Sequence, residues 1–369
     1  MKLIPFQSPY IRKHVSVARM MTDVLIALFP ILVFSIVLYG WDAIYVYLIS
    51  IGTMLSIELI SNMIIKWPKD MKVKELFSKE GFGRVRATFT INNILAPMIS
   101  AYIYAMLLPA GCDWYVVFIG AAFGMFFGKM IWGGLGQNIF NPAATGRIFV
   151  AVCFGDTLAK AYPGMKGFDA ITGATPLGVT KSAGLAATGQ YSLLDMFLGT
   201  IPGSMGEVCT ILILVGALYL LIRRSADFRA MLSYVVGFSV IAFVAVLSYK
   251  LKFDEGNLGE MFLYQVLGGG FLFGAVYMIT DPVTSPVSKF GRVFYGLLGG
   301  ALAAMIRFMG AYPEGVCFSI LIVNMLTPCI DYFMKGRRNT YTWQECVIAV
   351  STLAVLSVIV SASVCRGWF

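Results

Sequence analysis

Apolar runs close to the roughly 20 residues needed to cross a hydrocarbon core recur along the whole chain, separated by short polar stretches. They predict segments at 24–40, 43–65, 90–109, 114–131, 139–155, 206–222, 231–249, 261–280, 293–311, 316–332 and 346–364. The pattern is that of an all-α polytopic membrane protein with ten or eleven transmembrane helices. Segment 139–155 opens "IFNPAATGR", where proline and glycine interrupt the helical pattern, so broken or re-entrant segments are expected among the spans. No stretch is long and polar enough to fold as a soluble unit, and residues 1–369 read as a single integral membrane domain.

Composition agrees with the pattern. Hydrophobic residues make up 59% and charged residues 13% of the chain, against roughly 25% charged in an ordinary soluble domain. Residues 1–23 stay polar too long before the first apolar run to resemble a cleaved signal peptide, and are expected to form a cytoplasmic tail. With the N-terminus inside, twenty of the 28 Lys and Arg fall on the cytoplasmic side, including Lys129, Arg223 and Arg292. Six fall outside (Lys160, Lys166, Lys181, Lys250, Lys252 and Arg366), while Arg147 and Arg307 lie within segments. That asymmetry sets the orientation. The net charge of +9 then belongs to loops facing anionic lipid, and gives no reason to expect a nucleic-acid partner.

Seven cysteines show no metal-ligand spacing, and six of them lie in or beside apolar segments, where packing is their expected role. The only histidine, His14, lies in the tail, so neither a His-rich metal site nor a His-centred triad can be assembled. No catalytic side chain stands out. Glycines repeat through "GAAFGMFFGKMIWGGLG" and "GGGFLFG" at spacings that let helices pack closely.

Residues 156–205 form the longest polar interval and the expected extracytoplasmic loop. Glycine- and threonine-rich loops commonly supply turns and positive φ angles and nothing more. Here, however, Asp169 precedes Thr172, Gly173, Ala174 and Thr175 in "DAITGAT". A threonine hydroxyl is a poor nucleophile unaided, but in a turn of small residues it is an accessible acceptor for a modifying enzyme. A second turn, "PGSMGE", holds Gly203, Ser204 and Glu207 before an apolar segment. Its reading is open between a plain helix cap, with Ser204 as N-cap, and a helix N-terminus presented to an anionic phosphate.

"DAITGAT" resembles the site at which a flavin transferase esterifies FMN, through its phosphate, to the last threonine, Thr175 in this chain. "SPYIRKHVSVARMMTDVLIALFPI", "GGLGQNIFNPAATGR", "PGSMGE" and "TDPVTSP" extend the resemblance over essentially the full chain. Together they are similar to the D subunit of the Rnf complex and, more distantly, to the B subunit of the sodium-translocating NADH:quinone oxidoreductase. The resemblance implies a membrane subunit of an ion-translocating (sodium or proton) ferredoxin:NAD oxidoreductase, carrying covalent FMN at Thr175 and relaying electrons between iron-sulfur and flavin subunits. It also implies a flavin transferase for maturation and a place in a bacterial or archaeal cytoplasmic membrane. Asp169 then serves transferase recognition, and Thr172, Gly173, Ala174, Gly203, Ser204 and Glu207 flank the cofactor. Arg147, just after "NPAATG", is a further candidate for a cofactor or ion, and a second, non-covalent flavin such as riboflavin could lie near that motif.

Two further ionisable residues, Glu58 and Arg307, fall within apolar segments, where charges are costly and usually find a partner or a cavity; Arg307 is placed near enough to the surface to snorkel. "NILAPMI" echoes "NMLTPCI", and "FNPAATGR" echoes "TDPVTSP" in reversed order, a pattern compatible with inverted halves. A secondary transporter or channel without a redox group is the main rival reading, but leaves the Asp169 to Thr175 motif without a purpose.

Overall fold

The computed structural model describes residues 16–65, 90–162, 175–188, 191–207, 209–310, 314–334 and 343–366. Asp169, Thr172, Gly173 and Ala174 lie outside the described residues. Every regular element among the described residues is a helix. Seven are long and apolar enough to cross a bilayer: Val17–Tyr39, Trp41–Ile64, Trp114–Trp132, Phe228–Phe253, Lys289–Met309, Val316–Phe333 and Glu345–Arg366. An eighth span is made if Leu258–Leu267 and Phe271–Met278, bent by 54° at their junction, count as one.

This is fewer than the ten or eleven that the apolar runs suggest, and the reason is local. Segment 139–155 becomes Pro142–Cys153, because Asn141 caps the helix through its side chain and Pro142 occupies the first turn. At 1.5 Å per residue its 12 residues reach only about half-way across a hydrocarbon core. Segment 206–222 likewise shortens to Thr210–Arg223, and segment 90–109 to Asn92–Met106. At the N-terminus the first helix begins at Val17, with Ser16 as N-cap, so residues 17–23 of the expected tail are helical.

Glycine sets how closely these helices approach. A Cβ added at Gly124 would lie 2.4 Å from the Pro142 carbonyl oxygen, so Trp114–Gly128 and Pro142–Cys153 meet backbone against backbone. The same holds between Phe228–Phe253 and Lys289–Met309, where a Cβ at Gly300 would lie 2.0 Å from the Tyr234 carbonyl oxygen. The close packing expected of the glycine repeats is therefore present. In the core, Phe238 and Phe271 stack with ring centroids 3.9 Å apart, and Tyr104, Tyr234, Tyr264 and Tyr295 are fully enclosed. Outward faces carry exposed apolar side chains such as Phe29, Val37, Leu48, Leu218, Ile222 and Val358, the surface a helix presents to lipid. Phe126 and Phe127 belong to that surface, whereas Phe123 stacks on Phe149.

The cysteines divide. Cys112 and Cys209 are buried as packing requires, but Cys153, Cys329, Cys346 and Cys365 are exposed. Apolar sequence neighbours do not distinguish a core-facing from a lipid-facing position.

Candidate functional site

Thr175 is the N-cap of the helix Pro176–Ala183, and its Oγ1 accepts a hydrogen bond from the Gly178 N–H at 3.2 Å. The following proline fixes the first turn and has no N–H of its own, so the Gly178 N–H is the donor that the threonine side chain takes up. Thr175 and Gly178 line a cavity of about 1010 Å³, shared with Arg147, Tyr162, Gly270 and Glu314. Small-molecule sites typically span roughly 300–1,000 Å³, so the space takes a group as large as a nucleotide.

Arg147 reaches this wall from the helix Pro142–Cys153. Its Nε donates to the Leu107 carbonyl at 2.9 Å, and its Nη2 lies 3.9 Å from Glu314 Oε2. The structure thus joins two sequence candidates, Thr175 and Arg147, in one cavity although 28 positions separate them.

The "PGSMGE" turn is built differently from either expectation. Ser204 is not the cap of the next helix, which starts at Thr210 with Cys209 before it. Instead the Glu207 side chain reaches back and accepts from the Ser204 N–H at 3.0 Å. The turn is tied to the end of Asn92–Met106 by the Gly206 N–H to the Met106 carbonyl (2.7 Å) and the Met205 N–H to the Leu108 carbonyl (3.1 Å). Tyr39 Oη donates to the Gly203 carbonyl. Gly203, Ser204 and Glu207 therefore form a buried clasp beside the cavity, not an open helix end.

Arg307 does not snorkel. It is 5% exposed, with its guanidinium 4.7 Å above the Phe238 ring. Nη1 donates to the Gln265 carbonyl and Nη2 to the Gly268 carbonyl at 3.3 Å. These carbonyls are freed where Leu258–Leu267 ends and the chain bends through Gly268, Gly269 and Gly270, with Gly269 at a φ of +71°. A cation in the interior thus satisfies the broken helix, and Gly270 opens the cavity wall.

Lys129 is likewise no loop residue. It is 2% exposed and pairs with Glu58. It lines a second, more apolar cavity of about 470 Å³, between Asn141 and Pro142 of "NPAATGR" and Asp281 and Pro282 of "TDPVTSP". Sequence reading missed Tyr162, Gly270 and Glu314; only the glycine run "GGG" and the acid in "YPEG" marked the last two. No cluster of three or more His, Cys, Asp or Glu able to hold a metal ion occurs among the described residues.

Fold and cavities together define a polytopic helical membrane protein, with broken helices and buried ion pairs around two cavities of cofactor size. The chain belongs to the NQR2, RnfD, RnfE family, whose pattern matches residues 5–341. It is 33% identical over 335 residues to the D subunit of the proton-translocating ferredoxin:NAD(+) oxidoreductase complex of Clostridium ljungdahlii, covering 89% of this chain and 93% of that one. It is 30% identical over 334 residues to the Na(+)-translocating counterpart of Acetobacterium woodii, covering 89% of this chain and 93% of the relative. To the B subunit of the Na(+)-translocating NADH-quinone reductase of Chromohalobacter salexigens it is 40% identical over 244 residues, 64% of this chain and 57% of that relative's length.

Proposed function

We propose that this chain is the membrane subunit of an Rnf-type ion-translocating ferredoxin:NAD oxidoreductase, carrying FMN esterified to Thr175 and relaying electrons between partner subunits. Near-full-length similarity to D subunits supports the assignment to such a complex. The observation that carries the cofactor reading is Thr175 itself, a helix N-cap on the wall of a cavity of about 1010 Å³ that also holds Arg147. An isoalloxazine ring supplies one- and two-electron chemistry that no side chain offers.

The residues then have defined tasks. Thr175 Oγ1 holds the ester, at a helix N-terminus that favours an anionic phosphoryl group. Arg147 adds a positive charge to the same wall, and Gly178 and Gly270 leave room for a flat ring. Asp169, Thr172, Gly173 and Ala174 are the recognition residues for the transferase, and the Gly203–Ser204–Glu207 clasp fixes the cavity's rear wall. A second, non-covalent flavin such as riboflavin fits the cavity of about 470 Å³ beside Asn141 and Pro142. The Lys and Arg asymmetry supports a cytoplasmic N-terminus and an extracytoplasmic Thr175. Added to the seven or eight spans, the short helices Asn92–Met106, Pro142–Cys153 and Thr210–Arg223 bring the architecture to ten or eleven membrane segments, with Pro142–Cys153 re-entrant, arranged as inverted halves. Iron-sulfur and flavin subunits of the complex are the partners. Relatives of similar identity are named for proton and for sodium translocation, and the coupling ion is one of these two.

In-gel fluorescence of the denatured chain, co-expressed with a flavin transferase, tests the reading, because only a covalent flavin survives denaturation. A fluorescent wild-type band and a dark Thr175→Ala band are expected. A dark wild-type band would leave the transporter reading standing.

A further inference from the structure

Behind the Thr175 cavity, Glu207 is 7% exposed, and its Oε2 is fully enclosed with no hydrogen-bond donor. Glu207 closes on the bend of the Leu258–Met278 segment, and Glu314 approaches the same bend from the other side: a Cβ at Gly270 would lie 2.9 Å from Glu207 Oε2, and one at Gly269 would lie 3.6 Å from Glu314 Cγ. Two carboxylates that face each other inside a protein repel strongly when both are ionised, because neither offers the other a donor.

A metal cation is a poor answer to this repulsion. The nearby carbonyls of Gln265 and Gly268 are already taken by Arg307, and Arg147 stands 3.9 Å from Glu314 on the other side. A proton needs neither extra ligands nor extra space. The geometry points to a single proton shared between Glu207 and Glu314, a proton-binding site at the bend of the broken helix that leaves the two neighbouring arginines with one positive charge in excess.

Groups facing the pair from the surrounding elements are Tyr39, Arg147, Tyr162, Arg307 and Cys317. Of these only the arginines carry charge at neutral pH. Burial, with Glu314 alongside, pushes the Glu207 carboxyl well above its ordinary range. Glu314 lines the cavity and gives the proton its route to solvent, whereas Glu207 does not line it. While the proton is held, the excess positive charge favours an anionic occupant of the cavity; its release removes that preference.

Infrared spectra of the full chain in membranes test the site across a pH series in H2O and D2O. They are compared with spectra of Glu207→Gln and Glu314→Gln, both close in shape to the native residue, and the amide bands of the same spectra report whether each variant stays folded. At neutral pH the wild type should show a D2O-sensitive protonated-carboxyl band that Glu207→Gln lacks. Glu314→Gln should move the titration of that band at least about one pH unit lower, because a like charge is gone and Arg147 remains. A wild-type spectrum without the band, or a band unaltered in both variants, overturns the site. Thr175→Ala, which cannot carry the ester, should keep the band at neutral pH, with its titration moved lower by loss of the anionic occupant, so failure of the flavin reading and failure of the proton site are told apart.

Discussion

Lys129 Nζ and Glu58 Oε2 stand 2.8 Å apart, with side chains 2% and 1% exposed, at the end of the helix Trp114–Gly128. Asn62 Nδ2 donates to the remaining Glu58 oxygen at 3.0 Å. Removing one member of such a pair strands a buried charge and costs about 3–5 kcal/mol. Lys129→Met should therefore lower the thermal midpoint of the detergent-solubilised chain sharply. Adding Glu58→Gln should recover most of the loss, and a double change as damaging as the sum of two single ones would refute the pairing.

Arg307 caps a helix break from outside, through its hydrogen bonds to the carbonyls of Gln265 and Gly268. Arg307→Leu leaves both buried acceptors without a donor, at about 1–3 kcal/mol each. Hydrogen exchange should rise in residues 258–278 while that of Phe228–Phe253 changes little. Unaltered protection at the bend would show that the guanidinium does not hold it.

Gly124 permits the closest approach of backbone to backbone among the described glycines of the N-terminal half. Gly124→Ala brings a Cβ to 2.4 Å from the Pro142 carbonyl oxygen and 2.8 Å from the Gly146 nitrogen, both backbone atoms that cannot swing aside. A loss of about 1–3 kcal/mol is expected in thermal unfolding. Gly52→Ala, with nothing within 4 Å of the added Cβ, should be near neutral.

Asp227 caps the helix Phe228–Phe253 by accepting from the Arg229 N–H at 2.9 Å, and it also pairs with Arg292. Burial alone would raise its carboxyl, but these partners outweigh burial and hold it below the ordinary value. The depressed group adds stability above its unfolded value of about 3.9, and that stability is lost as pH falls through the lower folded value. Arg292→Gln should flatten the acid limb of a stability-versus-pH curve between about pH 4 and lower values. An acid limb identical to that of the wild type would contradict the assignment.

What the sequence disclosed follows from the range over which each signal acts. Long spans such as 231–249 and 293–311 were legible because a continuous apolar run is a local property; the motif that singles out Thr175 is likewise contiguous, and its role is a proposal. Asn141 and Pro142 shortened segment 139–155 through capping that hydropathy does not register. Lys129 looked like a loop cation because its partner, Glu58, is 71 positions away. Arg307 looked able to snorkel because nothing in its own segment shows that Gly268–Gly270 would break another helix and leave carbonyls to be filled. The meeting of Thr175, Arg147 and Glu314 in one cavity depends on the starts of two helices and the middle of a third, and no local pattern encodes that.

The most direct measurement is the mass of the native peptide containing Thr175, released from chain made in cells that possess the transferase. A mass increased by one FMN less one water, with fragmentation placing it on Thr175, is the expected result. An unmodified peptide, or a flavin on another residue, would contradict the account.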